Sequence, residues 1–126
     1  MRRGDVIRVS TNAELLNYVF GTHYKAWMKS VYDYGSSWVW MIHLDGVVRN
    51  GWRNLKYSDC IKEENLSKNT YGLRTNVGPL KRIVFSKHSG YFVFEGVYEY
   101  DRQRSNIHST RYYNLIEEEF RCRYYI

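Results

Sequence analysis

Between Lys81 and Asp101 the chain reads KRIVFSK, then HSG, then YFVFEGVYEYD: two long β-branched and aromatic segments joined by three turn residues. Pleated backbone sends successive side chains to opposite faces. Segments this long and this apolar therefore commit the chain to a sheet with a buried face. In the second segment Phe92, Phe94, Gly96, Tyr98 and Tyr100 share one face; Tyr91, Val93, Glu95, Val97 and Glu99 share the other. The first face is apolar and is assigned to the core. The second carries two glutamates and is assigned to a partly exposed surface. Gly96 interrupts the pattern; a glycine inside a strand marks a bulge or bend, which would exchange the two faces beyond it.

The other segments add elements around this pair. DVIRVS opens as a short β-like stretch. Ser10 or Thr11 can cap a helix over NAELLNYVF, with Leu15, Leu16, Val19 and Phe20 on one side and Gly21 as its stop. HYKAWMKSVYDY and WVWMIHLDG read as a hairpin around Gly35–Ser37, and Asn50-Gly51 as a tight hairpin turn. SDCIKEENL reads as a second short helix, capped by Ser58 or Asp59, with Ile61 and Leu66 docking inward. SKNTYGLRTNVGP and DRQRSNIHS are loops, TRYYNLI is a strand, and EEEFRCRYYI a final strand or tail. The sum is an α+β fold: a small, strongly bent antiparallel sheet or partly closed β-barrel with one or two short helices. With 126 residues, 44% of them hydrophobic, residues 1–126 suit a single domain.

Several function classes are disfavoured. No apolar run approaches the ~18 residues that span a bilayer, and no apolar stretch follows Arg2 and Arg3, so no membrane partner is expected and the placement is cytoplasmic. Cys60 and Cys122 lie far apart and read as free thiols. The phosphate-binding glycine loop, the nucleophile elbow and the zinc deaminase signature are all missing. His23, His43, His88 and His108 stand singly, without metal-ligand spacing. Asp45, Asp59, Glu95 and Asp101 would hold Mg²⁺, as in a small metal-dependent nuclease, only if folding converged them. No catalytic residue, metal set or cofactor is expected.

Binding chemistry is better represented. The chain carries a net charge of +6 and 17% aromatic residues, a balance that suits anionic partners. Arg102, Arg104 and Arg111 surround Ser105, Asn106, His108 and Ser109, with Tyr98, Tyr100, Tyr112 and Tyr113 on the flanking strands. Guanidinium forks match phosphate, small polar side chains add hydrogen bonds, and tyrosines stack on bases. Arg49, Arg53 and Lys56 around Trp52 form a second basic group; Arg74, Lys81 and Arg82 form a third. The expected contact set is Arg102, Arg104, Ser105, His108, Arg111, Arg49, Trp52, Arg53, Tyr98 and Tyr112. The expected function is a non-catalytic domain that recognises nucleic acid or a nucleoprotein complex.

The layout RIVFSK, GYFVFEGVYEYD, TRYYNLI resembles the small PUA-like or SRA-like β-barrel modules that accompany bacterial nucleases. That resemblance implies recognition of modified or unpaired bases, flipped between aromatic walls; Trp38, Trp40, Trp52 or Tyr98 would be the walls. In size and lack of motifs the chain is also similar to small phage-encoded inhibitors of bacterial immunity, anti-CRISPR proteins among them. That second resemblance implies a nucleic-acid-binding protein complex as partner, a blocked nuclease channel and a host cytoplasm.

Overall fold

A computed structural model gives the fold of residues 1–67 and 78–122. Most of the SKNTYGLRTNVGP segment, Arg74 included, and residues 123–126 lie outside the described residues. In chain order the elements are β1 (Val6–Ile7), α1 (Asn12–Phe20), β2 (Val31–Tyr34), β3 (Ser37–Ile42), β4 (Trp52–Lys56), β5 (Cys60–Asn65), β6 (Lys81–His88), β7 (Tyr91–Tyr100) and β8 (Thr110–Glu117). The strands form one sheet in the order β2-β3-β6-β7-β8-β5-β4, with β1 added to β7.

Two parts of the expected fold change. The sheet is mixed, because β3 and β6 pair in parallel. A parallel pair needs a crossover, and here β4 and β5 lie within it. The sheet is also open, not a barrel: β2 and β4 are its end strands. The outer edge of β4 is met by residues 45–49, through bridges Asp45–Leu55 and Arg49–Trp52. The second expected helix is strand β5, whose Lys62 and Glu63 pair across to Tyr112 and Arg111 of β8.

Local signals hold elsewhere. Thr11 caps α1: its Oγ1 accepts from the Glu14 amide at 3.1 Å and donates to the Glu14 carboxylate at 3.0 Å, a reciprocal capping arrangement. Gly21 ends the helix at φ +70°. Asn50 and Gly51, at φ +53° and +83°, turn between Arg49 and Trp52, which exchange both backbone bonds.

Pairing register sorts the side chains into two faces. On one, Val39, Met41, Ile83, Phe85, Phe92 and Phe94 pack against Leu15, Leu16, Val19 and Phe20 of α1. Each fully buried Leu, Val or Phe contributes about 1.5–3 kcal/mol of hydrophobic stabilisation. On the other, Trp40, Ile42, Ile61, Val84, Tyr98 and Tyr113 form a second cluster without a helix. The faces exchange on β7. Phe94 pairs with Phe85 and Gly96 with Val84, so Glu95 is the extra residue of a bulge. Phe92 and Phe94 therefore join the helix-side core as expected, while Tyr98 is buried on the opposite face.

Candidate functional site

The bulge builds the site. Along β6, Arg82, Val84, Ser86 and His88 alternate onto the face away from α1. Glu95 is turned onto that same face beside Ser86. It is buried, whereas its face of the strand is expected to be partly exposed; its side chain is only 6% exposed. The bulge is fastened from both sides. The Glu95 carbonyl accepts from Arg3 Nε at 3.1 Å and from the Tyr98 hydroxyl at 3.2 Å. The amide and carbonyl of Phe94 bond to Asp5 and Gly4. Gly96 makes the geometry possible: it sits at φ +119°, and a Cβ there would lie 2.6 Å from Leu115 Cδ1 and 3.0 Å from the Glu117 carbonyl oxygen.

Glu95 Oε2 accepts from Ser86 Oγ at 2.6 Å and Oε1 from Lys56 Nζ at 2.9 Å. Ser86 Oγ also lies 2.9 Å from His88 Nε2. A carboxylate only accepts, so the single hydroxyl hydrogen of Ser86 goes to Glu95, and His88 must donate through Nε2. The His88 ring in turn stacks on Tyr91, with centroids 4.7 Å apart and planes 6° from parallel. These residues line a cavity of about 660 Å³, together with His43, Leu44, Asp45, Arg49, Lys87 and Ser89. Arg49 grips Asp45 with both nitrogens at 2.8 and 2.9 Å. That grip, with a bond from the Val47 amide, holds the Asp45 carboxyl well below its usual range. The clamped loop presents Val47 and Val48 to solvent. Burial, reinforced by Arg49, pushes the His43 imidazole below its ordinary pKa, against the opposing pull of Asp45.

The same face carries a second charged cluster at the other end of β6. The Arg82 guanidinium is buried 4.4 Å from the Trp40 ring, 4.6 Å from Tyr113 and 4.9 Å from Trp38. Arg111 covers Trp52 at 4.7 Å and pairs with Glu63 at 3.5 Å. Burial raises the Glu63 carboxyl, opposed by Arg82 and Arg111. Burial likewise pushes the Tyr113 phenol up to about 12. This cluster holds β3, β5, β6 and β8 together by cation–π and ionic contacts.

The residues expected from sequence are dispersed. Of the ten, only Arg49 lines the cavity. Tyr98 is fully buried and Arg111 nearly so, which removes both from an accessible contact set: register places Arg111 opposite Glu63. Trp52 lies under Arg111, and Arg53 pairs with Glu64 at 2.9 Å. Arg104 lies 3.9 Å over Tyr112 and donates to Cys60 Sγ at 3.3 Å. The Ser105 hydroxyl accepts from the Tyr112 amide. Arg102 and His108 are exposed on the same loop. Of the suggested aromatic walls, Trp40 and Tyr98 are core residues, and Trp38 is stacked on Arg82. Lys81 is exposed and Arg82 buried, so the third basic group is divided. Of the four candidate carboxylates, Asp45 and Glu95 line one cavity; Asp59 and Asp101 do not line it. The expected contact set leaves out Glu95, Ser86, His88, Tyr91 and His43, with Glu95 entering only as a possible metal carboxylate. The available signal was a glutamate beside a glycine in the middle of an aromatic strand, which is where a bulge re-aims a side chain.

Among solved structures the chain is similar to the 5-hydroxymethylcytosine-specific restriction enzyme AbaSI, with a TM-score of 0.68 and 17% identity. The match covers 94% of this chain and 40% of that one, so it is a likeness of fold over less than half of the enzyme. No curated protein matches the chain. The resemblance read from Lys81 to Ile116 extends over nearly the whole sequence: the family model of the SET and RING associated domain matches residues 1–122, and the chain belongs to the SRA family.

Proposed function

We propose that the chain is a non-catalytic DNA-recognition module that receives a modified cytosine, flipped out of the duplex, in the cavity around Glu95. SRA domains typically recognise modified cytosine in DNA, which supports the ligand class. The observation that carries the reading is the buried Glu95 carboxylate, aimed into an open cavity by a bulge that Gly96 makes possible. A flipped base is read by hydrogen bonds to its Watson–Crick edge and by stacking. A carboxylate is the natural acceptor for the exocyclic amine of cytosine. The stacked His88 and Tyr91 rings offer a flat wall. Ser86 and His88 supply polar atoms beside Glu95, which suits a polar substituent such as hydroxymethyl at position 5. Arg49 and Lys87 at the cavity, with Arg102 and Arg104 on their separate loop, would contribute phosphate attraction, which is independent of sequence and sensitive to salt.

The alternative inhibitor reading has no observation in its favour. A metal-dependent nuclease also lacks one: among the described residues, no group of three His, Cys, Asp or Glu side chains is placed to hold a metal ion. The test is fluorescence anisotropy with duplexes that carry one cytosine, 5-methylcytosine or 5-hydroxymethylcytosine at the same position, across a salt series. Tighter binding of a modified duplex at every salt concentration is expected. Equal affinity for all three would refute the reading.

A further inference from the structure

The Lys56–Glu95 contact spans the sheet in an unusual way. Lys56 lies on β4, the terminal strand, and Glu95 on β7; β5 and β8 stand between them. In a flat sheet these strands would be about 14 Å apart, three spacings of ~4.8 Å. The curl of the sheet, with the lysine stem reaching inward, closes the gap to 2.9 Å. The lysine is not sealed in: its side chain is 44% exposed, against 6% for Glu95. An ammonium has three hydrogens and this contact uses one. Each Glu95 oxygen accepts one hydrogen bond from Lys56 or Ser86, and a carboxylate has about four lone-pair sites. The pair therefore faces the cavity with a cationic donor and an anionic acceptor side by side, and both have bonding capacity to spare.

We infer that Lys56 is a specificity-determining residue: together with Glu95 it reads the Watson–Crick edge of the flipped base, donating to N3 while Glu95 accepts from the exocyclic amine. This rests on the base-recognition reading above. The polarity matches cytosine, which offers an amine donor beside the N3 acceptor. It opposes thymine and uracil, whose edge carries a carbonyl oxygen beside an N3–H, so that both members of the pair meet a group of the wrong kind. Lys56 thus reads which base is present, and the substituent at position 5 falls beside Ser86 and His88.

The test compares the parent with Lys56→Met, which keeps most of the stem and removes the charge. Two duplexes are used, carrying 5-methylcytosine or its 3-deaza analogue opposite an abasic site, so that loss of base pairing does not enter. The parent is expected to bind the analogue about tenfold or more weakly, as loss of a charge-assisted hydrogen bond implies. Lys56→Met is expected to bind both duplexes alike, at the weaker level. If Lys56 only contacts phosphate or only positions Glu95, removal of N3 costs the variant the same factor as the parent, and the inference is overturned. If the parent prefers 5-methylcytosine to cytosine but is indifferent to N3, the inference fails while base recognition stands. If the parent makes neither distinction, both fail. Circular dichroism and the melting temperature of Lys56→Met establish that it is folded.

Discussion

Gly96→Ala tests whether the bulge that aims Glu95 depends on the missing side chain. A residue with a Cβ at φ +119° is held in a region nearly restricted to glycine, a strain of about 1–3 kcal/mol. The methyl group would also lie 2.6 Å from Leu115 Cδ1 and 3.0 Å from the Glu117 carbonyl oxygen. The leucine can turn aside; the carbonyl belongs to the β8 backbone and can move only with its strand. Overpacking of this kind costs about 1–3 kcal/mol; the two costs together span about 2–6 kcal/mol, and because the leucine can turn aside about 3 kcal/mol is expected. Unfolding entropy of about 2.1 cal/mol/K per residue over 126 residues converts this to a fall in Tm of about 11 °C. Gly90→Ala is the matched control. Gly90 also has positive φ, +83°, but a Cβ there meets nothing within 4 Å, so only the backbone strain remains, about 1 kcal/mol or about 4 °C. Thermal unfolding by circular dichroism separates the two. The folded fraction of Gly96→Ala should also bind modified DNA more weakly, because β7 must shift to accept the methyl. If Gly96→Ala melts no lower than Gly90→Ala, the packing argument for the bulge is wrong.

Other consequences follow from the charged clusters and the cap. Arg111→Leu leaves the largely buried Glu63 without its ion-pair partner and with only Arg82 to offset it, and should cost roughly 3 kcal/mol in urea unfolding, whereas adding Glu63→Leu should recover most of it. The Tyr113 phenol is pushed up to about 12 in the folded protein, so the unfolded chain loses this proton first as pH rises. Its stabilisation is complete below pH ~10 and declines towards pH ~12, by about 2–3 kcal/mol, and Tyr113→Phe should remove that slope. Thr11→Ala deletes the α1 cap and should destabilise by about 1 kcal/mol. Arg102→Ala with Arg104→Ala should weaken binding to modified and unmodified DNA by the same factor and flatten the salt dependence; a changed preference between them would place this loop at the base.

What was legible in the sequence was what local chemistry decides. Thr11 and Gly21 fix the two ends of α1, and Asn50-Gly51 and the Gly35 turn fix their hairpins by positive φ. Cys60–Asn65 misled because lysine and glutamate are good helix formers, while its strand conformation comes from pairing with β4 and β8 on both sides. The parallel β3–β6 pair has no local signal at all. The site failed to appear for the same reason. Charged residues ordinarily lie at the surface, but Arg82, Arg111 and Glu95 are buried, and Glu63 largely so, by partners on other strands, and the sequence does not say which strands meet. Gly96 marks the place where the faces of β7 exchange, in sequence and in structure alike, and the residue beside it lines the candidate site.

The most direct test of the account is the effect of Glu95→Ala on the preference for a duplex with one 5-hydroxymethylcytosine over the same duplex with cytosine, measured by anisotropy at fixed salt. If the carboxylate reads the flipped base, and an unmodified duplex is held through its phosphates with its cytosine still paired, the variant should bind the modified duplex only as tightly as the parent binds the unmodified one, and its affinity for unmodified DNA should barely change. A Glu95→Ala protein that is folded and keeps the parent's full preference would contradict the account, because the base would then be recognised somewhere other than this cavity.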